Sequence, residues 1–287
     1  MRDFSTSHEA LSLNTATVRK QWRLDRIIEE CAKREIRAIS PWRDQVAQVG
    51  IQAVAQQLQA CGITLSGYCR GGFFPAADPA GLQAALDDNR RAIDEAKLLG
   101  APCVVLVVGS LPGALVGKPC YRNIARARSE VFDGIAASLD YARQLDMPLA
   151  IEPLHPMQAA ERACINTLEQ ALDICDVLDP QRSGQLGVAV DLYHVWWDPK
   201  LEAQIQRAGA ARLLAYHVCD WLAPTTDLLN DRGMMGDGVI ELQKCRAWME
   251  NAGYSGFSEV EIFSEKWWQQ PGESVLDTCI ARHRTVV

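Results

Sequence analysis

The sequence predicts a single α/β domain closed into a (β/α)8 barrel over residues 1–287, and three observations predict it. Short apolar runs rich in β-branched residues alternate with helix-periodic segments along nearly the whole chain, which means parallel strands joined by helical crossovers. Eight such pairs fit within 287 residues without a linker or a break in composition, the size of one closed barrel. The first strand-to-helix turn, Thr15-Ala16-Thr17-Val18, lacks the G-x-G-x-x-G pattern that an open dinucleotide-binding sheet places there. A doubly wound open sheet is the runner-up.

The elements follow in order. Leu11 to Val18 alternates apolar and polar and reads as the first strand, and Leu24, Ile27, Ile28 and Cys31 mark the first helix. A short run, AIS, ends at Pro41-Trp42-Arg43; the helix VGIQAVAQQLQACG closes at Gly62. ITLSGYCRGGFF is a third strand opening into a glycine-rich loop, and LDDNRRAIDEAKLLG is a helix with Gly100 as its C-cap. PCVVLVVG is the clearest buried strand. The second half repeats the rhythm: the helix SEVFDGIAASLDYARQLD, the strand MPLAIEPLHP, and the helix INTLEQALDICDVLD, capped by Asn166 or Thr167 with Glu169 placed for a capping interaction. Then come strand QLGVAVDLYH, helix LEAQIQRAGA, strand RLLAYHVCDW, helix VIELQKCRAWMENAG, strand FSEVEIF and a closing helix, ESVLDTCIARHRTV.

Composition narrows the function classes. The chain is 48% hydrophobic and 23% charged, enough for a large core and against disorder, and its net charge of −7 lacks the basic face of a nucleic-acid binder. The 10 cysteines are scattered singly with no C-x-x-C pair, which suits a reduced cytoplasmic protein using Cys as a small hydrophobe. The first residues, MRDFSTSHEA, contain no apolar signal region, and no run of about 18 apolar residues occurs. The expectation is a protein with neither a nucleic-acid nor a membrane partner.

In such a barrel the working face lies at the C-terminal ends of the strands. Read there, the fifth strand carries Glu152 then His155, the sixth Asp191 then His194, the seventh His217 then Asp220, and the eighth Glu259 and Glu261. Each alone reads most simply as a cap, an ion-pair partner or a core histidine. Glu152, Asp191, His217 and Glu261 on four neighbouring strands read better together. Three converging carboxylates repel unless a cation sits between them. Three oxygen donors and an imidazole suit one divalent ion such as Mn²⁺, Mg²⁺, Co²⁺ or Zn²⁺. Glu259 shares a face with Glu261, so alternation alone leaves the fourth ligand open between them.

The segments IEPLHP, GVAVDLYH, YHVCDW, the GDGVIEL turn and EVEIF followed by aromatic residues resemble the sugar isomerase/epimerase group of xylose-isomerase-like TIM barrels, over roughly residues 10–285. That group includes ketose 3-epimerases, hydroxypyruvate isomerase, and inosose isomerase and dehydratase, with endonuclease IV as a distant relative. The resemblance implies a Glu-Asp-His-Glu metal site on Glu152, Asp191, His217 and Glu261, the last favoured because EIFSEKWW is similar to the family's eighth strand ending. It implies that Glu152 and Glu261 also act as the acid/base pair, and that His194 contacts substrate hydroxyls. A metal-held carbonyl with a carboxylate nearby is the chemistry of proton abstraction through an enediolate.

Two positions depart from the ketose 3-epimerase pattern: Gln158 stands where a second substrate-binding glutamate is expected, and Ala223 where an arginine is. Arg232, in the loop NDRGMMGDG, is the candidate to replace that arginine. With His155 beyond the glutamate, the chain looks closer to the inositol- and keto-sugar-handling branches. Trp42-Arg43 and Arg70-Gly71-Gly72-Phe73 end strands two and three; Trp42 and Arg70 are candidate clamps for a hydroxylated or anionic substrate, with local ion pairing of Arg43 and Arg70 as the plainer alternative. Gly236-Asp237-Gly238 reads as the turn and N-cap before VIELQKCRAW.

The expected function is therefore a divalent-metal-dependent isomerase or epimerase of a ketose, inosose or related keto-sugar. A lyase or dehydratase on the same fold begins with the same proton abstraction and is the close alternative. A three-zinc repair nuclease would want more than the five histidines present, and a silent sugar-binding barrel would not need the complete ligand set. The partner is a small sugar or cyclitol. Trp196, Trp197, Trp267 and Trp268 either roof the pocket or meet a second copy of the chain, so a homo-oligomer is also carried as an expectation.

Overall fold

The structure, a computed structural model, describes residues 2–287. Eleven strand segments occur among them: β1 Leu11–Asn14, β2 Ala38–Ser40, β3 Thr64–Leu65, β4 Tyr68–Gly72, β5 Val104–Val107, β6 Leu149–Ile151, β7 Leu186–Asp191, β8 Leu213–Val218, β9 Asp220–Trp221, β10 Arg232–Gly233 and β11 Ser258–Val260. Nine form one sheet in the order β3-β2-β1-β11-β8-β7-β6-β5-β4, every recorded pair parallel. β3 and β4 are two pieces of one stave, split at Ser66-Gly67. A parallel bridge from Trp42 to Cys69 joins the end of the β2 stave to β4 and closes the ring. The architecture is the single (β/α)8 barrel that the alternation predicts, and β9 and β10 form a separate antiparallel pair above it.

Side-chain alternation divides the core in two. Leu149, Ile151, Val188, Val190 and Tyr216 pack with the surrounding helices, while Cys69, Cys103, Val105, Ala150, Ala189 and Ala215 form a small cluster inside the barrel. Those interior residues are small, which leaves room for a buried polar layer nearer the mouth. Asn14 donates to Glu259 at 2.8 Å, Ser66 donates to the same carboxylate at 2.8 Å, and the Ser12 and Ser66 hydroxyls lie 2.6 Å apart. A buried carboxylate is tolerable only with such donors around it.

Several elements differ locally from the sequence reading. The alternation of residues 11–18 is half strand and half 3-10 turn, because the Asn14 side chain accepts from the Ala16 N–H and starts the Thr15–Val18 turn. Gly71 and Gly72 lie within β4 rather than in a loop. At Gly72 (φ 106°) a Cβ would fall 2.0 Å from the Val107 carbonyl oxygen, so glycine is needed where β4 crowds β5. The helix before β5 begins earlier than its apolar pattern, at Pro79, because Asp78 caps it by accepting from the Gly81 N–H at 2.8 Å; it ends at Gly100 in the left-handed conformation, as expected. Thr167 is the cap of helix Leu168–Leu178, but Gln170, not Glu169, reaches back to the Asn166 N–H; Glu169 pairs with Lys200. Three short helices, Arg43–Val49, Leu192–Val195 and Glu265–Trp268, have no counterpart in the sequence reading; the second begins where the strand read through His194 ends, at Asp191. All ten cysteines are free thiols. No helix among the described residues is long and apolar enough to cross a membrane.

Candidate metal centre and its pocket

Four staves bring their polar ends to one point. Glu152 is the first residue past β6, Asp191 the last of β7, His217 lies in β8, and Glu261 is the first past β11. Parallel register makes them neighbours, with Asp191 opposite His217 and His217 opposite Glu259. One donor atom from each of Glu152, Asp191, His217 and Glu261 lies within 4.8 Å of the others, and all four side chains are buried. Glu259 sits one layer deeper, on the other edge of the imidazole. His217 Nδ1 faces Glu152 Oε1 at 3.0 Å and Glu261 Oε2 at 3.6 Å, whereas Nε2 faces Glu259 Oε1 at 3.6 Å. Depth separates the two glutamates that alternation leaves equivalent: Glu261 lies in the cluster, and Glu259 lies behind its histidine.

The donor set fits a divalent cation. Both nitrogens of His217 and Oε1 of Glu152 are buried without a hydrogen-bond partner of acceptable geometry, even though Nδ1 and Oε1 are at ion-pair distance. Buried lone pairs aimed at a common point, rather than at one another's protons, are the arrangement of ligands. A carboxylate behind the outer nitrogen of a ligating histidine is the usual means of fixing its tautomer and orientation.

Charge inside the cluster is lopsided without a cation. Burial, reinforced by Glu261 and Asp191 and opposed by His217, raises Glu152 to about 7. Burial would also lower the protonation of His217, but Glu259, Glu152 and Glu261 together raise its pKa well above the ordinary value. Asp191 goes the other way: burial is overcome by Arg232, His194, His217 and the Tyr193 N–H, which bring it to about 2. Arg232, 4% exposed, donates from Nη1 to Asp191 at 2.8 Å and to Glu261 at 3.2 Å. It comes from β10, so the residue read as lying in a loop is held in a strand pair stacked over Tyr193 and Phe263.

A cavity of about 390 Å³ opens above the cluster, within the roughly 300–1,000 Å³ span of small-molecule sites. Glu152 and Glu261 line it, but Asp191 and His217 do not. Trp42, Arg70, His194, Arg232 and Gln158 also face it, with Phe73, Phe263 and Trp268 as apolar walls. His194 is kept neutral, its pKa held at about 3 mainly by burial. Its Nε2 meets Arg232 Nη2 at 3.1 Å while its Nδ1 meets the His155 N–H at 3.2 Å. A neutral imidazole has one acceptor nitrogen, so these two donors compete for it.

Not every sequence candidate reaches the cavity. The His155 ring is absent from its lining; it stacks on Trp221 at 4.7 Å and accepts from the Met157 N–H. Of the four tryptophans only Trp268 lines the cavity, and its indole N–H donates to the Ala16 carbonyl. Arg43 follows the plainer alternative and pairs with Asp88 and Glu95. The turn before helix Leu242–Asn251 is held by Asp220, which accepts from the Gly236 and Ile240 N–H groups, while Asp237 pairs with Arg282. Arg162 lines the cavity without having been singled out; it lies beyond the strand end, where strand periodicity carries no information. His8 contacts the Arg34 carbonyl and His283 stacks on Phe4, both away from the cluster.

Comparison with known proteins agrees with the barrel fold. The model of a family described as xylose isomerase-like TIM barrel matches residues 28–280. Inosose isomerase of Bacillus velezensis is 22% identical over 287 residues, covering 96% of each chain. The crystal structure of a Sinorhizobium meliloti 1021 protein is 54% identical with a TM-score of 0.92, over 98% of this chain and 99% of that one. The IolI protein, solved with a zinc atom, is 20% identical with a TM-score of 0.81, over 97% and 98%.

Proposed function

The chain belongs to the xylose isomerase-like TIM barrel family, and from that premise we propose that it is a divalent-metal-dependent isomerase or epimerase of a keto-sugar or inosose. One observation carries the reading. Of the four clustered donors, the two glutamates line the cavity and the aspartate and histidine do not. Glu152 and Glu261 are thus the pair that can both hold a cation and meet a substrate carbon.

A divalent ion held by Glu152, Asp191, His217 and Glu261 would supply Lewis-acid polarisation of a substrate carbonyl and its neighbouring hydroxyl. Proton traffic falls to the two glutamates, one withdrawing the proton next to the carbonyl and the other delivering it. Asp191, held near pKa 2 by Arg232 and its other neighbours against burial, stays ionised throughout and moves no proton. Neutral His194 and the guanidinium of Arg232 present polar groups to substrate hydroxyls. Trp42, Phe73, Phe263 and Trp268 give sugar carbons an apolar surface and keep water from the reacting carbon. Three oxygens and one nitrogen suit Mn²⁺, Mg²⁺, Co²⁺ or Zn²⁺, and ten unpaired thiols support a reducing, cytoplasmic setting. The inosose isomerase relatives support a place for the enzyme in inositol breakdown.

The test is solvent exchange. Candidate ketoses and inososes are incubated with Mn²⁺-loaded protein in deuterated water and followed by mass spectrometry. Deuterium incorporation with an unchanged formula is expected, and it should vanish in Glu152→Gln and Glu261→Gln. A loss of water from the substrate would move the assignment to a dehydratase. Exchange that survives both substitutions would refute the residue roles.

A further inference from the structure

The cavity has an acidic floor and, elsewhere in its lining, positive charge that is only weakly answered. Five cationic side chains line it: Arg19, Lys20, Arg70, Arg162 and Arg232. Three are paired: Arg19 with Asp44, Lys20 with Glu265 and Arg232 with Asp191 and Glu261. Arg70 makes no hydrogen bond or ion pair through its guanidinium among the described residues. Its guanidinium lies instead over aromatic rings, with Cζ 4.1 Å from the Phe73 centroid and 6.0 Å from that of Trp42. Stacking occupies the faces of a guanidinium and leaves its N–H edge free.

Glu152 of the cluster is near enough to attract Arg70, but no carboxylate among the described residues lies within ion-pair distance of its guanidinium. The acids sharing the adjoining recess with Arg70 are Asp44 and Asp88, and they are engaged by Arg19, and by Arg43 and Arg91. Arg162 is near enough to Arg70 to repel it. Its own contact is a loose one, 3.8 Å to the adjacent Glu161, and its Nε is buried without a partner. Gln158 Oε1, on the same wall, is also buried and unpartnered. Largely desolvated, unpaired charge such as that of Arg70 is costly, and with Arg162 lining the same cavity the two arginines can recognise carboxylate or phosphate oxygens.

We infer that Arg70 and Arg162 form an anion subsite, so that the substrate is an acidic keto-sugar bearing a carboxylate or phosphate at the end remote from the reacting carbonyl. The inference rests on the isomerase reading for the keto group alone; the anion contact stands or falls by binding. Arg70 would engage the anion by its N–H edge while Phe73 and Trp42 hold the guanidinium plane, and Arg162 would close on it from the side. The four-ligand floor remains for the keto end of the same molecule.

The experiment uses probes with no reacting carbonyl, so that turnover plays no part. D-glucitol, D-gluconate and D-glucitol 6-phosphate are titrated calorimetrically into the Mn²⁺-loaded protein and into Arg70→Ala and Arg162→Gln, with thermal melts as a check on folding. At least one anionic probe is expected to bind at least about tenfold more tightly than the neutral polyol. That preference should weaken as ionic strength rises and fall to within about twofold in Arg70→Ala. Arg70→Lys should restore part of it. Whether gluconate or the phosphate gains more identifies the anion. Equal affinity for neutral and charged probes, a preference untouched by both substitutions, or no binding of any probe overturns the proposal. Solvent exchange with neutral ketoses alone would sink the anion subsite and leave the isomerase reading standing, whereas an arginine-dependent anion preference without exchange on any substrate would do the reverse.

Discussion

Stripping the divalent ion from the protein and titrating it back across a pH series probes the charge arrangement of the cluster directly. A metal must displace whatever protons its ligands carry. Asp191, at about 2, carries none near neutrality. Glu152, raised by burial from 4.5 to about 7, carries one below that value, and His217, raised by Glu259, Glu152 and Glu261 against burial, holds its proton to higher pH than an ordinary imidazole. Each proton displaced costs tenfold in affinity per pH unit. Between pH 5 and 7 Glu152 alone should strengthen binding roughly a hundredfold, and its slope should fade above about pH 7; the raised His217 adds to the dependence in the same direction. The metal-free protein should respond in the opposite sense. A raised carboxyl pKa contributes stability that is complete below pH 4.5 and lost as pH rises through about 7, on the order of 3 kcal/mol. Calorimetric titration of Mn²⁺ in buffers of different ionisation enthalpy counts the protons directly. A larger proton release at pH 6 than at pH 8 is expected from Glu152, and Glu152→Gln should abolish that part of the difference. An affinity that is flat from pH 5 to 8 would refute the reasoning.

Three substitutions test other parts of the structure. Glu259→Gln removes the carboxylate behind His217 Nε2, and should weaken metal binding by about 10–100-fold while circular dichroism stays native; unchanged affinity would remove Glu259 from the site. Arg212, 1% exposed, donates to the Asp179 and Leu172 carbonyls and pairs with Asp176. Because Asp176 is itself partly exposed, most of the loss in Arg212→Ala comes from the two stranded carbonyls and the cavity, about 3 kcal/mol in urea unfolding, and a loss below about 1 kcal/mol would contradict this. At Gly187 a Cβ would fall 2.4 Å from the Arg212 carbonyl oxygen and 2.8 Å from Leu214 Cγ. Gly187→Ala should therefore cost about 1–3 kcal/mol by overpacking β7 against β8, read as a lower Tm, and an unchanged Tm would count against that crowding.

The barrel and the cluster were legible in the sequence for different reasons. Asp191 and His217 stand out because an ionisable group on a core strand needs a partner, and the period of two shows which face it takes. The same period is blind to depth, so Glu259 and Glu261 are equivalent in sequence; the pairing of His217 opposite Glu259 separates them by placing one beneath the imidazole and the other above. Arg232 looks like a loop residue because its partner strand is only two residues long. Gly71 and Gly72 read as loop for want of any signal that β5 crowds them, a purely tertiary fact. Arg162 and Arg70 differ from Arg43 only in what surrounds them, and no local pattern records which arginine lacks an acid.

The buried contacts that Glu259 makes with the first half of the chain have a wider meaning. Every donor atom of the cluster comes from the second half of the chain, yet Glu259, which backs His217, is itself gripped by Asn14 and Ser66 from the first. Neither of these lines the cavity, and Asn14 also receives the indole N–H of Trp42, a cavity wall. The two halves of the ring thus divide the labour of donor and brace. A fragment holding all four donors would own the tools but not the vice, and a change at Asn14 would reach both the histidine and the tryptophan without touching a substrate.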